Sequence, residues 1–225
     1  MEENTFDKYA HNYNEVLQNS LAGYGKNISY YARHKSIVIS QNLTAQPKTI
    51  LDFGCGIGRN IEFLKQYFPS AEVTGYDVSP ESVEVAKKYN PLTQFYDKTN
   101  VRELESKVDI ILIACVFHHI PPANRAKVMG LAKDLLSDTG EIFVFEHNPF
   151  NPLTRHIVKN CPLDKDAVLL KPSEVKALAY ANSLLVTKQG YTLYLPAALK
   201  FLQPAEQLLT RLPLGTQYFV RASSS

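Results

Sequence analysis

The sequence predicts an α/β fold: a doubly wound, mostly parallel seven-stranded sheet preceded by a helical N-terminal lid. Three observations carry this expectation. From residue 49 onward, short apolar runs alternate with helical stretches, the pattern of βαβ units joined by right-handed crossovers. The first of these runs closes on a glycine-rich turn, the bend a buried strand makes into a ligand-facing helix. The chain has 225 residues, a length that suits one large α/β domain better than two small ones.

The elements follow in order. Phe6, Tyr9, Ala10, Tyr13, Val16 and Leu17 recur at helical spacing, so residues 5–20 are expected as one amphipathic helix. A loop with Gly23 and Gly25 leads to a second helix over about 28–43, and Pro47 ends this preamble. TILDFG (49–54) reads as a buried strand, 60–68 as a helix stopped by Pro69, and AEVTGYD (71–77) as the second strand. Ser79 is a good N-cap with Pro80 at the first helical position, which places a helix over 80–89. TQFYD (93–97) is a short third strand. VDIILIAC (108–115), almost wholly apolar and β-branched, has the composition of a central parallel strand. A helix over 124–136 leads to EIFVFEH (141–147), and a helix over 173–182 precedes SLLVTKQGYTLYL (183–195) and TQYFVRA (216–222). Residues 148–172 and 196–215 stand outside this alternation as long connections of the kind that form lids and binding loops. In the second, Ala198, Phe201, Leu202, Ala205, Leu208, Leu209 and Leu212 form a helical stripe broken by Pro204, expected to pack over the sheet or to wall an apolar ligand.

Composition narrows the function classes. At 45% hydrophobic and 20% charged, the chain can bury a core and is not a disordered sequence. A net charge of +2 without long runs of one sign argues against nucleic acid as a partner. Cys55, Cys115 and Cys161 are too scattered for a disulfide framework or a CxxC metal pair. The acidic, amphipathic start is not a signal peptide, and the longest apolar run, 110–120, is too short to span a bilayer. A cytoplasmic protein without stable membrane insertion is expected, and a homodimer is left open.

The strongest chemical signal is Asp52-Phe53-Gly54-Cys55-Gly56-Ile57-Gly58 between a strand and a helix, followed by Asp77 at the end of the next strand. A carboxylate in that position can accept both hydroxyls of a ribose. The glycine spacing is GxGxG, whereas dinucleotide sites that seat a pyrophosphate on a helix N-terminus favour GxGxxG. LDFGCGIGRN, GYDVSP and VDIILIACVFHHI resemble motif I, post-I and the fourth-strand motif of the class I S-adenosylmethionine-dependent methyltransferases, which have a Rossmann-like fold. The resemblance spans about residues 49–147. FDKYAHNYNEVL is similar to the N-terminal lid helix of small-molecule methyltransferases such as the quinone-methylating enzymes. EHNPFNPLTR and PLGTQYFV resemble a bacterial subset of the family.

The resemblance implies S-adenosyl-L-methionine as cofactor and methyl transfer to a small-molecule acceptor, apolar or lipid-like in one reading. The alternative is a catalytically silent S-adenosylmethionine-binding regulatory or partner protein. It divides a single domain into a lid (1–46), a cofactor-binding core (47–147) and substrate-side loops with the C-terminal strands (148–225). By position it places Gly54, Cys55, Gly56 and Gly58 along the methionine half, Asp77 at the ribose and Val78 at the adenine. Asp97, or the adjacent Lys98 and Thr99, falls near the adenine amino group, and Cys115 lies under the cofactor. Asp52 is suited to attract the α-ammonium, directly or through water.

In such sheets the ligand lies beyond the carboxyl ends of the strands, so the residues after strands four and five face the transferable methyl. His119, Glu146 and His147 are the candidate catalytic groups, as bases or as groups that orient the acceptor, with loop scaffolding as the plain alternative. Tyr9, Tyr13, His118, Asn148 and Arg155 are candidate acceptor contacts. Asn148-Pro149-Phe150 shares letters with the [DN]PP[YF] motif of amino-group methyltransferases, but it follows strand five rather than strand four. No metal is expected, because adjacent histidines on extended chain point in opposite directions.

Overall fold

Alternation along the strands assigns each residue to one face of the sheet or the other. The computed structural model describes residues 4–21, 28–43, 45–101, 104, 107–195, 206 and 208–224. Its strands are β1 (Thr49–Phe53), β2 (Glu72–Tyr76), β3 (Phe95–Tyr96), β4 (Val108–Ala114), β5 (Leu136–His147), β6 (Leu184–Thr192) and β7 (Gln217–Ser224). Among the described residues the helices are α1 (Asn4–Tyr9), α2 (Tyr13–Ser20), α3 (Ile28–Asn42), α4 (Ile61–Tyr67), α5 (Pro80–Tyr89), α6 (Pro122–Leu135), α7 (Pro152–Asn160) and α8 (Pro172–Ala181).

The strands form one sheet in the order β3-β2-β1-β4-β5-β7-β6. β1 to β5 run parallel, and β7 is antiparallel to both β5 and β6. Leu51, Ile111, Ile113, Ile142 and Val144 face α6 and α8, where they meet Met129, Ala132, Val175 and Ala179. Ile50, Ile110, Leu112, Phe143 and Phe145 face the other way, toward Ile39 of α3, Leu64 of α4 and Ala86 of α5. Both faces of the central strands are therefore covered, and that is why β4 reads as an unbroken apolar run.

The doubly wound, mostly parallel sheet matches the expectation, and its boundaries differ in three places. Residues 5–20 form two helices rather than one, separated at Ala10–Asn12. α1 packs on α5 and α2 on α3, and both reach a 3₁₀ turn at Pro162–Asp164. The hydroxyl of Ser79, the N-cap of α5, accepts from Ser82 N–H at 3.0 Å and donates to Asp7 of α1. The 148–172 connection is largely helical: Asn151 Oδ1 caps α7 by accepting from Thr154 N–H at 3.0 Å, with Pro152 at the first position. β5 begins at Leu136 rather than 141, since Leu136 pairs with Val108 across a register shift. The apolar stripe at Ala198, Phe201, Leu202 and Ala205, like Gly23 and Gly25, lies outside the described residues. No helix among the described residues is long and apolar enough to cross a membrane.

Ile111 is wholly buried in β4, and truncating such a side chain removes its packing against α6 and α8. Ile111→Ala should lower unfolding free energy by about 2–5 kcal/mol, while Leu185→Ala, at a residue 56% exposed on β6, should change it by less than about 0.5 kcal/mol. Urea denaturation followed by circular dichroism checks both. Equal effects would contradict the assignment of β4 to the core.

Candidate active site

Each of the inner parallel strands ends in a sharp turn at the same edge of the sheet, and these turns frame one cavity. After β1 the chain doubles back through three glycines at positive φ: Gly54 (76°), Gly56 (52°) and Gly58 (78°). Gly54 and Cys55 N–H both donate to Tyr76 O, at 2.7 and 2.9 Å, which ties the turn to the end of β2. A Cβ at Gly54 would fall 2.5 Å from Val116, so the close approach of the β4 loop requires glycine there. Asp77, at the end of β2, accepts from Gly56 N–H at 2.7 Å and from Ser79 N–H at 2.9 Å. Burial pushes its carboxyl above the usual range, against these hydrogen bonds. Cys115, directly after β4, sits at φ 59°, a conformation uncommon for a residue with a side chain, and its N–H donates to Phe145 O at 2.8 Å.

The cavity has a volume of about 1330 Å³. Gly54, Cys55, Gly56, Asp77 and Val78 line one end, with Lys98 and Val101 beyond them. His118, His119 and His147 line the other, and Tyr13 and Leu17 of α2 reach in from above. Leu153, Ile157, Val158 and Leu163 extend that second end as an apolar wall.

The histidine end is organised by two acids, one buried and one half-buried. Glu146, the penultimate residue of β5, has no exposure to solvent. Its Oε1 accepts from Val116 and Phe117 N–H at 3.1 and 2.7 Å, and its Oε2 accepts from His118 Nδ1 at 2.5 Å. Asp164, on the 3₁₀ turn after α7, places Oδ1 3.4 Å from both His118 Nε2 and His119 Nε2. Burial disfavours charge on His118, yet Glu146 and Asp164 outweigh it and raise the imidazole to about 9. Burial first, then the His118 cation, holds His119 down to about 3 and His147 down to about 4. Desolvation would raise the carboxyls of Glu146 and Asp164, but the histidines hold both below the usual range. His118 and His119 occupy a 3₁₀ turn, Phe117–His119, rather than extended chain, and their ring centroids lie 4.0 Å apart. The expectation that neighbouring histidines diverge is therefore corrected: a tight turn brings i and i+1 imidazoles onto one acid.

The residues singled out from sequence divide cleanly by position. Tyr13, Gly54, Cys55, Gly56, Asp77, Val78, Cys115, His118, His119 and His147 line the cavity. Asp52 does not: it is fully buried behind Asn60, whose amide donates to both carboxylate oxygens at 3.2 and 3.1 Å. Desolvation pushes its carboxyl up to about 7. Gly58 instead makes room for α5, since a Cβ there would lie 2.7 Å from Asn90 Nδ2. Asp97 turns away to accept from Thr99 N–H and hydroxyl at 2.7 and 2.5 Å. Tyr9 is half-buried away from the cavity with Lys8 over its ring. Asn148 is a loop staple, its amide donating to Pro213 O at 3.0 Å and Gly215 O at 2.7 Å. Arg155 is exposed on α7.

Sequence reasoning missed Lys35, Arg59, Asn60 and Asp164. Arg59 and Asn60 follow the last glycine directly, and that adjacency was the one available signal. Lys35 lies on the buried face of α3, where it donates to Tyr31 O at 3.1 Å and burial lowers its pKa. Asp164 sits in a connection whose fold no periodicity announces.

Asp52 yields a prediction with a defined sign. Its folded pKa of about 7 exceeds the ordinary 3.8, so folding takes up a proton between these values and the group's contribution falls as pH rises through them. Asp52→Asn, which keeps an acceptor for Asn60, should gain stability relative to wild type from pH 4 to pH 7 and then level off. A pH-independent difference in urea midpoint would contradict this.

The profile of a family described as a methyltransferase domain matches residues 51–142, the span that contains the glycine turn, Asp77 and the histidine turn. A demethylmenaquinone methyltransferase of Thermotoga maritima is 26% identical over 148 residues, covering 65% of this chain and 61% of that protein, so the match spans about three-fifths of the relative's length. A ubiquinone biosynthesis O-methyltransferase of Coxiella burnetii is 31% identical over 93 residues, 39% of each chain. Among solved structures, the plantazolicin methyltransferase BpumL in complex with SAH superposes with a TM-score of 0.66 at 19% identity, covering 99% of this chain and 95% of that one, a likeness of fold. With the strand order, the glycine turn and Asp77 in place, residues 51–142 match the methyltransferase domain family, and the sheet has the Rossmann-like methyltransferase fold.

Proposed function

We propose that this chain transfers a methyl group from S-adenosylmethionine to a small organic acceptor with an apolar body, bound beside His119. One observation carries the reading: a single cavity joins the glycine turn and Asp77 to a cluster of three histidines, buried or half-buried, and an apolar wall. Its volume exceeds the roughly 300–1,000 Å³ of an ordinary ligand pocket, which leaves room for a cofactor and an acceptor together.

The residues present suit the cofactor. The backbone at Gly56 turns with open space where a Cβ would stand, so a ligand can lie directly against it. Asp77 would hold the ribose hydroxyls, Val78 and Val101 would cover the adenine, and Arg59 and Asn60 would hold the amino-acid end. When bound, S-adenosylmethionine supplies an electrophilic methyl on a sulfonium centre. His119, a weak base at about 3, then takes the proton that the acceptor oxygen loses as it gains the methyl and becomes strongly acidic, and Asp164, 3.4 Å from its Nε2, stabilises the imidazolium as it forms. Glu146 fixes the turn that carries His119, and His147 orients the acceptor. The lid helices close the cavity through Tyr13 and Leu17, excluding water from the reacting atoms. A wall of Leu153, Ile157 and Leu163 favours a quinone-like or other apolar acceptor over a polycarboxylate such as trans-aconitate, the substrate named for other relatives.

Two variants test the reading. Asp77→Ala should weaken S-adenosylhomocysteine binding by about 2–4 kcal/mol in calorimetry, and unchanged affinity in a folded variant would remove the cofactor assignment. His119→Ala should leave that affinity intact while cutting turnover of hydroxyquinone acceptors by about 10²–10⁴. A loss below tenfold would mean that transfer proceeds by proximity alone and that His119 is scaffold.

A further inference from the structure

Three donor atoms from separate elements converge at the acceptor end of the cavity. They are a ring nitrogen of His118 on the turn after β4, one of His147 at the end of β5, and a carboxylate oxygen of Asp164 on the turn after α7. All lie within 4.8 Å of one another. Tetrahedral coordination at about 2.0–2.1 Å sets neighbouring donors about 3.4 Å apart, and His118 Nε2 already stands 3.4 Å from Asp164 Oδ1. Closing the set from within 4.8 Å onto one ion requires His147 to move inward by up to about 1.4 Å.

Two further features distinguish this cluster from an ordinary ion pair. His118 Nε2 is buried, and its pairing with Asp164 Oδ1 at 3.4 Å falls short of a formed hydrogen bond, a state that a native interior seldom leaves in place. On the far side of the same ring, Nδ1 meets Glu146 at 2.5 Å. An ionised carboxylate can only accept, so it fixes the ring with Nε2 toward the cluster, as the carboxylate behind a metal-bound histidine does. All three side chains line the cavity, which leaves a coordination position open toward the acceptor.

We propose that His118, His147 and Asp164 bind one divalent transition-metal ion of the zinc class, with Glu146 as the carboxylate supporting His118. Two imidazoles and one carboxylate suit such an ion better than calcium or magnesium, which prefer all-oxygen shells. The site rests on the acceptor region proposed above, where the ion would anchor and polarise an acceptor oxygen.

The test uses the whole chain, stripped with a chelator and titrated with Zn²⁺ by calorimetry and with Co²⁺ by visible spectroscopy. One ion per chain is expected, with the d–d bands of tetrahedral Co²⁺. His147→Ala and Asp164→Asn should each weaken Zn²⁺ affinity at least tenfold, and Glu146→Gln by about 10–100-fold. These substitutions avoid relying on His118, whose loss leaves Glu146 without its buried partner. Absence of binding, or an affinity unchanged in the His147→Ala/Asp164→Asn double variant, overturns the site. S-adenosylhomocysteine titrated in parallel separates the two claims: its retained binding with no metal leaves the methyltransferase reading standing, and its absence from the wild type overturns that reading instead.

Discussion

Glu146 is wholly removed from water, and a buried carboxylate persists only where hydrogen bonds or opposite charge replace its hydration. Here the replacements are two backbone N–H groups and an imidazole, all from the loop after the neighbouring strand. The carboxylate thereby welds the end of β5 to the turn after β4. That weld sets the 3₁₀ geometry of Phe117–His119, aims His118 at Asp164 and brings His119 to the cavity. Removing one partner would strand a charge in the core, so the cluster stands or falls as a unit.

The two ends of the cavity obey different physics. At the glycine end the backbone does the work: positive φ at Gly54 and Gly56 exposes main chain to a ligand, and Asp77 is held in place by N–H groups rather than by a cation. At the histidine end, side chains do the work, in a setting dry enough to keep His119 and His147 neutral beside a charged His118. Polar groups fixed before any ligand arrives need little reorganisation during reaction, which is the usual source of electrostatic advantage in a closed site. In the proposed function the glycine end serves cofactor recognition and the histidine end acceptor chemistry, and both sit at the carboxyl edge of the sheet because the crossovers carry every loop there.

The core of the sheet was legible because burial on both faces writes itself as composition: Ile110 to Ile113 could hardly be anything but a central strand. The glycine turn and Asp77 were legible for a similar reason, since backbone conformation and strand ends leave strong local marks. The histidines were found and then misjudged. Ring direction depends on whether the chain is extended or turned, and the three residues of Phe117–His119 carry no period. Asp52 shows the converse, an acid in the right place along the chain that Asn60 closes off from the cavity. Asp164 and Lys35 became part of the site only through packing of α7 and α3, long-range facts that local patterns do not hold.

If one cavity serves both ligands, the transferable methyl must sit among the imidazoles. S-adenosylmethionine labelled with ¹³C at the S-methyl, bound to the chain and observed by isotope-filtered nuclear Overhauser spectroscopy, reports its neighbours directly. Contacts to the ring protons of His119 and His147, with the ribose protons near Asp77, are the predicted result. A bound S-methyl that touches neither ring would contradict the shared site and with it the chemistry assigned to the histidine end.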